Sequence, residues 1–292
     1  MKDAMVNIVR LTRPKQWVKN LFVMLPLFFA AELTHVSAVL SALSAFAAFS
    51  LMASAVYCLN DLVDADADRS HPIKCRRPIA SGDVSRRQAV AAMIVLASAS
   101  LAVARSCSPE LAGVIGAYAV LNVAYCLWLK HYAIVDVTVI AAGFVLRLAA
   151  GGVACGIWLS PWIVCMTFLL ALFLAFAKRR DDVLIHESTG QVMRRSAERY
   201  NVEFLNQTLG VLAAVMLVCY VMYTMSPAVE ARLHSENLYF TSVFVLAAIL
   251  RYLQVTLVDR HSGSPTAVIL RDRFLQCCIA GWLATFAIII YL

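Results

Sequence analysis

Apolar residues along this chain come in long runs, 17 to 25 residues each, ended by charge or by turn residues. A bilayer core about 30 Å thick needs about 20 helical residues to cross it. Nine runs of suitable length can be placed: Trp17 to Leu33, Val36 to Asn60, Gln88 to Ala104, Pro109 to Leu129, Ala133 to Gly156, Pro161 to Ala177, Phe204 to Met225, Leu238 to Val258 and Phe274 to Leu292. The pattern predicts an all-α, polytopic membrane protein with nine transmembrane helices. The basic start followed by Leu21 to Ala31 could pass for a secretory signal. Eight further runs make it an uncleaved first helix instead.

Charge gives these runs a direction. Lys2, Arg10, Arg13, Lys15 and Lys19 precede the first run, and Arg69, Lys74, Arg76, Arg77, Arg86 and Arg87 separate the second from the third. Lys130 follows the fourth, and Lys178, Arg179, Arg180, Arg194, Arg195 and Arg199 follow the sixth. Arg251, Arg260, Arg271 and Arg273 lie at or between the ends of the last two. These are 22 of the 25 Lys and Arg residues; Arg105 and Arg232 fall on the other side, and Arg147 lies inside the fifth run. The positive-inside rule puts the N-terminus and the basic segments in the cytoplasm. Nine spans then leave the C-terminus outside.

Composition agrees. The hydrophobic share is 62% and the charged share 15%, against roughly 45–50% and about 25% in soluble domains, and the mean hydropathy is +0.77. That excludes a disordered chain, a disulfide scaffold and an ordinary cytosolic enzyme. The net charge of +7 sits at membrane edges, so lipid bilayer is expected as a partner and nucleic acid is not. The nine cysteines lie mostly in apolar runs, show no CxxC or Cys/His metal spacing, and are expected to be free thiols. The 292 residues are expected to form one transmembrane domain, leaving chemistry to the helices and their cytoplasmic loops.

The most informative segment is Asn60-Asp61-Leu62-Val63-Asp64-Ala65-Asp66-Ala67-Asp68. Four carboxylates within eight residues at a membrane boundary repel one another and must be compensated. On a continuous helix Asp61, Asp64 and Asp68 share one side and Asp66 points away. Such a stripe can offer oxygens to one or two Mg²⁺ ions, which favour oxygen ligands and bridge to substrate phosphates. The next segment, Arg69 to Gly82, contains His71, Lys74, Arg76 and Arg77 among Pro72, Pro78 and Gly82. Its prolines and glycine predict a constrained loop carrying cations beside the acids. Acid, metal and base together suit a diphosphate. A solvated acidic helix end is the plainer alternative, and topology alone could supply the basic residues.

With that motif on Asn60, Asp61, Asp64 and Asp68, the chain resembles the UbiA superfamily of intramembrane transferases, whose first signature is NDxxDxxxD at the cytoplasmic end of helix two. The resemblance covers essentially the whole chain. It implies nine helices in a UbiA-like bundle, an active site open to the cytoplasm, and Mg²⁺-assisted departure of a diphosphate. Most superfamily members carry a second motif, DxxxD, after helix six. Here that segment reads Lys178-Arg179-Arg180-Asp181-Asp182, which weakens a second metal clamp and adds positive charge. Arg13-Pro14-Lys15-Gln16-Trp17-Val18-Lys19-Asn20, the loop from His71 to Gly82, and Lys178 to Arg180 followed by Arg194, Arg195, Ser196 and Tyr200 resemble the branch that transfers phosphoribosyl to a decaprenyl-type lipid phosphate.

That branch implies phosphoribosyl diphosphate and a polyprenyl phosphate as substrates, a bacterial cytoplasmic membrane location, and a product serving cell wall biosynthesis. It also implies roles. Asp61, Asp64 and Asp68 would hold Mg²⁺ and Asn60 orient a ligand. Lys15, Lys19, Lys74, Arg76, Arg77, Lys130, Lys178, Arg179 and Arg180 would bind substrate. Asp181 and Asp182 would take a second metal or the ribose hydroxyls. The chemistry is consistent: a lipid phosphate with a second pKa near 6 is largely dianionic at neutral pH and needs neutralisation rather than a general base. The alternatives are prenyl transfer from a polyprenyl diphosphate to an aromatic acceptor and, from another class, a transporter, which would spread polar residues through both halves of the spans. Assembly into a homo-oligomer stays open.

Asn122, Tyr125 and Lys130 near the end of the fourth run, and Asp136 at the start of the fifth, are weaker candidates. Arg147 shares a face with Asp136 but stands about 16 Å along the helix at 1.5 Å per residue, too far to pair. An arginine at membrane depth is functional by default, or has a structural partner inside the bundle. Gly151-Gly152 and Gly156 suit close helix packing.

Overall fold

A computed structural model of the chain describes residues 2–70, 74–189, 196–233, 235–259 and 265–291. His71, Pro72, Arg194, Arg195 and Arg260 lie outside the described residues, as do the side chains of Lys2 and Arg232. The described residues are mostly helical, joined by short turns and loops, and contain no strands. In chain order the α-helices are α1 (Lys2–Thr12), α2 (Leu25–Phe29), α3 (Val36–Val63), α4 (Ala65–Arg69), α5 (Arg86–Cys107), α6 (Pro109–Leu127), α7 (Val135–Cys155), α8 (Pro161–Thr189), α9 (Val202–Thr224), α10 (Pro227–Leu233), α11 (Ser242–Leu257), α12 (Pro265–Arg271) and α13 (Arg273–Tyr291). Seven segments are long and apolar enough to cross a membrane: Val36–Val63, Arg86–Cys107, Pro109–Leu127, Val135–Cys155, Pro161–Ser188, Val202–Thr224 and Leu238–Leu257. They correspond to the second through eighth runs of the sequence. The ninth forms the shorter apolar helix Arg273–Ile289.

The first run folds differently from the single helix expected of it. Residues Pro14–Met24 form a 3-10 helix of 11 residues, followed by the five-residue α2. Two features select that form. Pro26, lacking an amide hydrogen, cannot continue an α-helical ladder from Phe22. Trp17, Asn20 and Val23 recur every three residues, and three residues per turn puts all three on one line. That line faces α3: Trp17 Nε1 donates to Ser54 Oγ at 3.0 Å and Asn20 Nδ2 to Ser50 Oγ at 3.0 Å, while Val23 is fully buried.

Helix starts follow the local sequence. Ser85 caps α5 in a reciprocal box with Gln88, Ser108 accepts from the Leu111 amide ahead of Pro109 at α6, and Asn201 accepts from Phe204 at α9. Each satisfies amide hydrogens that the first turn leaves without intrahelical acceptors. The chain divides into two compact units, one of residues 1–130 and 143–159 and another of residues 131–142 and 160–292.

In the first unit, α3 presents Ala45, Ala48, Phe49 and Met52 to Leu111, Ile115 and Tyr118 of α6. Its small residues let α5 approach closely enough for Ser100 Oγ to donate to the Ala48 carbonyl at 2.6 Å. Arg147 of α7 is buried in this unit. Its guanidinium donates to Asn20 Oδ1 at 2.8 Å, the Gly143 carbonyl at 2.8 Å and Tyr118 Oη at 3.1 Å. It also lies 5.0–5.1 Å from the ring centroids of Phe49, Tyr118 and Phe144. Neutral acceptors and aromatic faces thus hold a cation at membrane depth. The role left open by the sequence is a structural one: Arg147 ties α7 to the 3-10 segment through Asn20.

Gly151, one turn further, lies against the Val23 backbone, and a Cβ there would overlap the Val23 carbonyl. Gly152 packs against Leu159, whereas Gly156 adopts a φ of 65° that ends the helix. In the second unit Phe173, Phe176, Leu205, Leu209, Tyr252, Val255 and Leu275 form the core. Among the described residues, which include all nine cysteines, none is in a disulfide.

Gly151→Ala is expected to lower the thermal midpoint in detergent or the yield of monodisperse protein. Gly116→Ala, whose added methyl meets nothing within 4 Å, should leave stability unchanged or raise it by up to about 1 kcal/mol through helix propensity. Paired melting curves test this, and equal effects would contradict the close backbone approach.

Candidate active site

The acidic segment is kinked. α3 ends at Val63, Asp64 caps it, and α4 starts at Ala65, so the aspartates do not form the continuous helical stripe expected. The kink preserves the division between them. Asp61 and Asp68 are buried, at 1% and 4% exposure, and Asp66 is exposed. Asp66 meets Arg69 at 2.9 Å and Arg86 at 3.0 Å on the surface.

Each inward carboxylate meets a cation from another element. Arg77 Nη1 donates to Asp68 Oδ2 at 2.6 Å and to Asp61 Oδ1 at 3.2 Å. Arg13 Nη2 donates to the same Asp61 Oδ1 at 2.5 Å, with its guanidinium 5.1 Å from the Tyr57 ring centroid. Lys130 Nζ donates to Asp64 Oδ1 at 2.5 Å. Asn60 Oδ1 lies 3.7 Å from Cys126 Sγ. Asp61 Oδ2 is buried and has no hydrogen-bond partner, which is costly for a charged acceptor.

Local sequence delivers these cations. Pro78 and Ile79 are buried, and Ile79 and Val84 pack with Leu11, Cys58, Ala65 and Ala89. The loop is closed by bonds from the Arg77 amide to the Lys74 carbonyl and from the Val84 amide to the Pro78 carbonyl, both 2.9 Å. The constraint expected from its prolines therefore aims Arg77 at the aspartates. Arg13 lies in the left-handed region at φ 51° and ψ 59°. This conformation costs a non-glycine residue roughly 1 kcal/mol and turns the chain between α1 and the 3-10 helix. Lys15 and Arg76 are exposed, while Lys19 and Lys74 are half-buried.

Lys178 to Asp182 continue α8, which runs on to Thr189, so this segment is helix rather than loop. Lys178 is exposed and Asp182 half-exposed, whereas Arg179, Arg180 and Asp181 are buried. Arg179 Nε donates to Asp136 Oδ2 at 2.7 Å and its Nη1 to Asp182 Oδ2 at 3.1 Å. Arg180 donates to Asn206 Oδ1 and to the Thr256 carbonyl, both at 2.6 Å. Tyr200 Oη donates to Asp136 Oδ1 at 3.2 Å and accepts from the Ile134 amide. Asp136, one of the weaker candidates, is thus fully buried beneath Arg179 and Tyr200.

Sequence reasoning chose Lys15 and Lys19 from the N-terminal segment and passed over Arg13 as a site residue. The available signal was the residue before Pro14, where the chain must turn. Asn206 and Tyr57 carried no distinguishing pattern.

The donor set suits a hard divalent cation: Asp61, Asp64 and Asp68 with the Asn60 side-chain oxygen are oxygen ligands, and Asp61 Oδ2 is an open acceptor. Among the described residues no three carboxylate, histidine or cysteine groups already stand in ligating array; their oxygens are drawn toward Arg13, Arg77 and Lys130 instead.

Residues 20–278 match the UbiA prenyltransferase family, and the chain belongs to that family as an integral membrane protein. It is 37% identical over 293 residues to a decaprenyl-phosphate phosphoribosyltransferase of Mycobacterium tuberculosis, covering 97% of this chain and 94% of that one. The Mycolicibacterium smegmatis enzyme of the same name is 34% identical over 300 residues, covering 99% and 94%. The fold is also that of a UbiA homolog from Archaeoglobus fulgidus solved bound to GPP and Mg²⁺, with a TM-score of 0.73 and 19% identity over 98% of this chain and all of that one.

Burial, with the Asp136 charge and hydrogen bond, pushes the Tyr200 hydroxyl from 10.0 up to about 12, against the opposing pull of the Ile134 amide. A raised acid pKa stabilises the fold fully below the unfolded value and is lost as pH rises through the folded one. The stability difference between wild type and Tyr200→Phe should therefore hold steady to about pH 10 and shrink toward pH 12. Thermal unfolding across that window checks it.

Proposed function

We propose that the protein transfers the 5-phosphoribosyl group of phosphoribosyl diphosphate to a polyprenyl phosphate of decaprenyl type, releasing diphosphate. The observation that carries this is likeness along nearly the whole chain to enzymes named for that reaction. The cluster around Asp61 supports it, because three carboxylates and three cations at one helix end suit a highly charged phosphate donor. A lipid phosphate oxygen attacks ribose C1 as the bond from C1 to the diphosphate oxygen breaks, and the diphosphate leaves with both bonding electrons. Since the lipid phosphate is already mostly dianionic, the residues need to bind and orient it rather than take its proton.

Asp61, Asp64 and Asp68, with Asn60 orienting a ligand, would hold Mg²⁺. When bound, that ion neutralises charge developing on the departing diphosphate. Lys74, Arg76, Arg77 and Lys130 would grip phosphate oxygens of the donor, and Lys15 and Lys19 the lipid phosphate at the headgroup plane. In the second unit Lys178, Arg179 and Arg180 are proposed as substrate contacts; the exposed Lys178 is the member free of the burial that surrounds the two arginines. Asp181 and Asp182 are proposed for ribose hydroxyls or a second metal. The reading includes a single domain over residues 1–292, nine membrane segments, a cytoplasmic N-terminus and a bacterial inner-membrane location with the site facing the cytoplasm. Near-complete coverage of the relatives supports the single domain, and the clustering of Lys and Arg supports the orientation.

Purified protein in detergent with Mg²⁺ should move label from phosphoribosyl diphosphate onto polyprenyl phosphate. Asp61→Asn and Asp64→Asn should each lose at least tenfold in turnover while remaining monodisperse. Lys178→Ala should weaken substrate use more than expression. Label appearing only in an aromatic acceptor offered with polyprenyl diphosphate would instead establish prenyl transfer.

A further inference from the structure

We infer that Arg13 and Arg77 are exchange residues: they neutralise Asp61 and Asp68 while no metal is bound, and pass to diphosphate oxygens when metal and diphosphate enter together. The inference rests on the aspartates being the metal site. Its starting point is the balance of charge around them. Arg13 and Arg77 converge on Asp61 Oδ1, Arg77 also reaches Asp68, and Lys130 holds Asp64. Three formal negative charges thus meet three positive ones, with Asp61 1% exposed.

A divalent cation arriving alone would meet carboxylates whose charge is already matched, and would leave two positive charges in excess where water is scarce. Charge in such a place is expensive. A diphosphate arriving with the ion offers the guanidinium groups new partners of the same sign and similar geometry, since Arg binds phosphate and carboxylate oxygens alike. Moving Arg77 from Asp61 and Asp68 to the anion frees two carboxylates for the metal at one stroke. Asp61 Oδ2 is buried and accepts from no protein donor, so this oxygen needs no arginine to move before it can meet a metal. Arg13 leans on the Tyr57 ring as well as on Asp61, so it keeps an aromatic support when it releases the carboxylate. Metal and diphosphate affinities are then coupled, and by linkage each raises the other by the same factor.

This coupling predicts opposite signs from one substitution. A residue that only stabilises the site would weaken both ligands when removed. Arg77→Gln should instead bind Mn²⁺ alone about tenfold more tightly than wild type, within the usual range of coupling factors, while binding labelled inorganic diphosphate more weakly at saturating Mn²⁺. Arg13→Gln should shift both affinities in the same directions, and serves if the first variant fails to fold. Free Mn²⁺ counted by electron paramagnetic resonance on the full chain in detergent, without substrate, gives the first affinity. Filter binding of diphosphate gives the second. Weaker or unchanged Mn²⁺ binding in folded Arg77→Gln and Arg13→Gln would overturn the exchange. The metal site itself is read separately with Asp64→Asn: if Mn²⁺ binding survives that change undiminished in every background, the aspartates are not the metal ligands and the inference falls with them.

Discussion

Like charge crowded at the end of an apolar helix organises the functional end of the first unit. Asp61 lies in the last turn of α3, Asp64 caps it and Asp68 follows in α4, with Asp61 and Asp68 buried where little water is available to screen them. Their repulsion is met by Arg13 from the turn after α1, Arg77 from the loop after α4, and Lys130 beyond α6. Each cation needs its own backbone support. Arg13 depends on a left-handed turn, and Arg77 on a loop pinned by Ile79 and Val84. The 3-10 segment that follows Arg13 is fastened at Trp17 and Asn20, and Asn20 in turn is held by Arg147. A buried arginine in α7 thus fastens the same 3-10 segment whose N-terminal neighbour, Arg13, reaches Asp61.

The second unit uses the same residue types for a different end. Lys178, Arg179 and Arg180 look in sequence like a basic stop at the membrane edge. Two of them turn inward, and Asp136, Asn206 and the Thr256 carbonyl receive them. These buried guanidinium groups tie α8 to Asp136 of α7, Asn206 of α9 and the Thr256 carbonyl of α11. Such pairs specify an arrangement more surely than they add net stability.

Much of this was legible in the chain. The long runs announced the seven helices that are long and apolar enough to cross a membrane, because bilayer thickness sets the length of run to look for, and Ser85, Ser108 and Asn201 marked helix starts through their capping side chains. The acidic motif pointed to the right neighbourhood because four aspartates at a membrane edge demand partners. The kink at Asp64 was hidden, since helix periodicity assumes continuity and nothing local breaks it. The 3-10 segment was hidden for a related reason: its local cues, Pro26 and a spacing of three, compete with the stronger hydrophobic pattern, and its fastening to Ser50 and Ser54 is tertiary. Partner choice was the least visible. Whether an arginine faces phosphate, carboxylate or an aromatic ring depends on elements far away in sequence, as with the 127 residues between Asn20 and Arg147.

The pitch of that 3-10 segment also sets a distance. At about 2.0 Å per residue its 11 residues reach roughly 22 Å, where an α-helix of the same residues would reach about 16 Å. An α-helix would also carry Trp17, Asn20 and Val23 around the axis by about 60° at each step of three, so they would fan across a face instead of standing on one line. The tighter coil therefore acts as a ruler as well as a fastening. It reaches further with the same residues, and it keeps Trp17, Asn20 and Val23 along one edge.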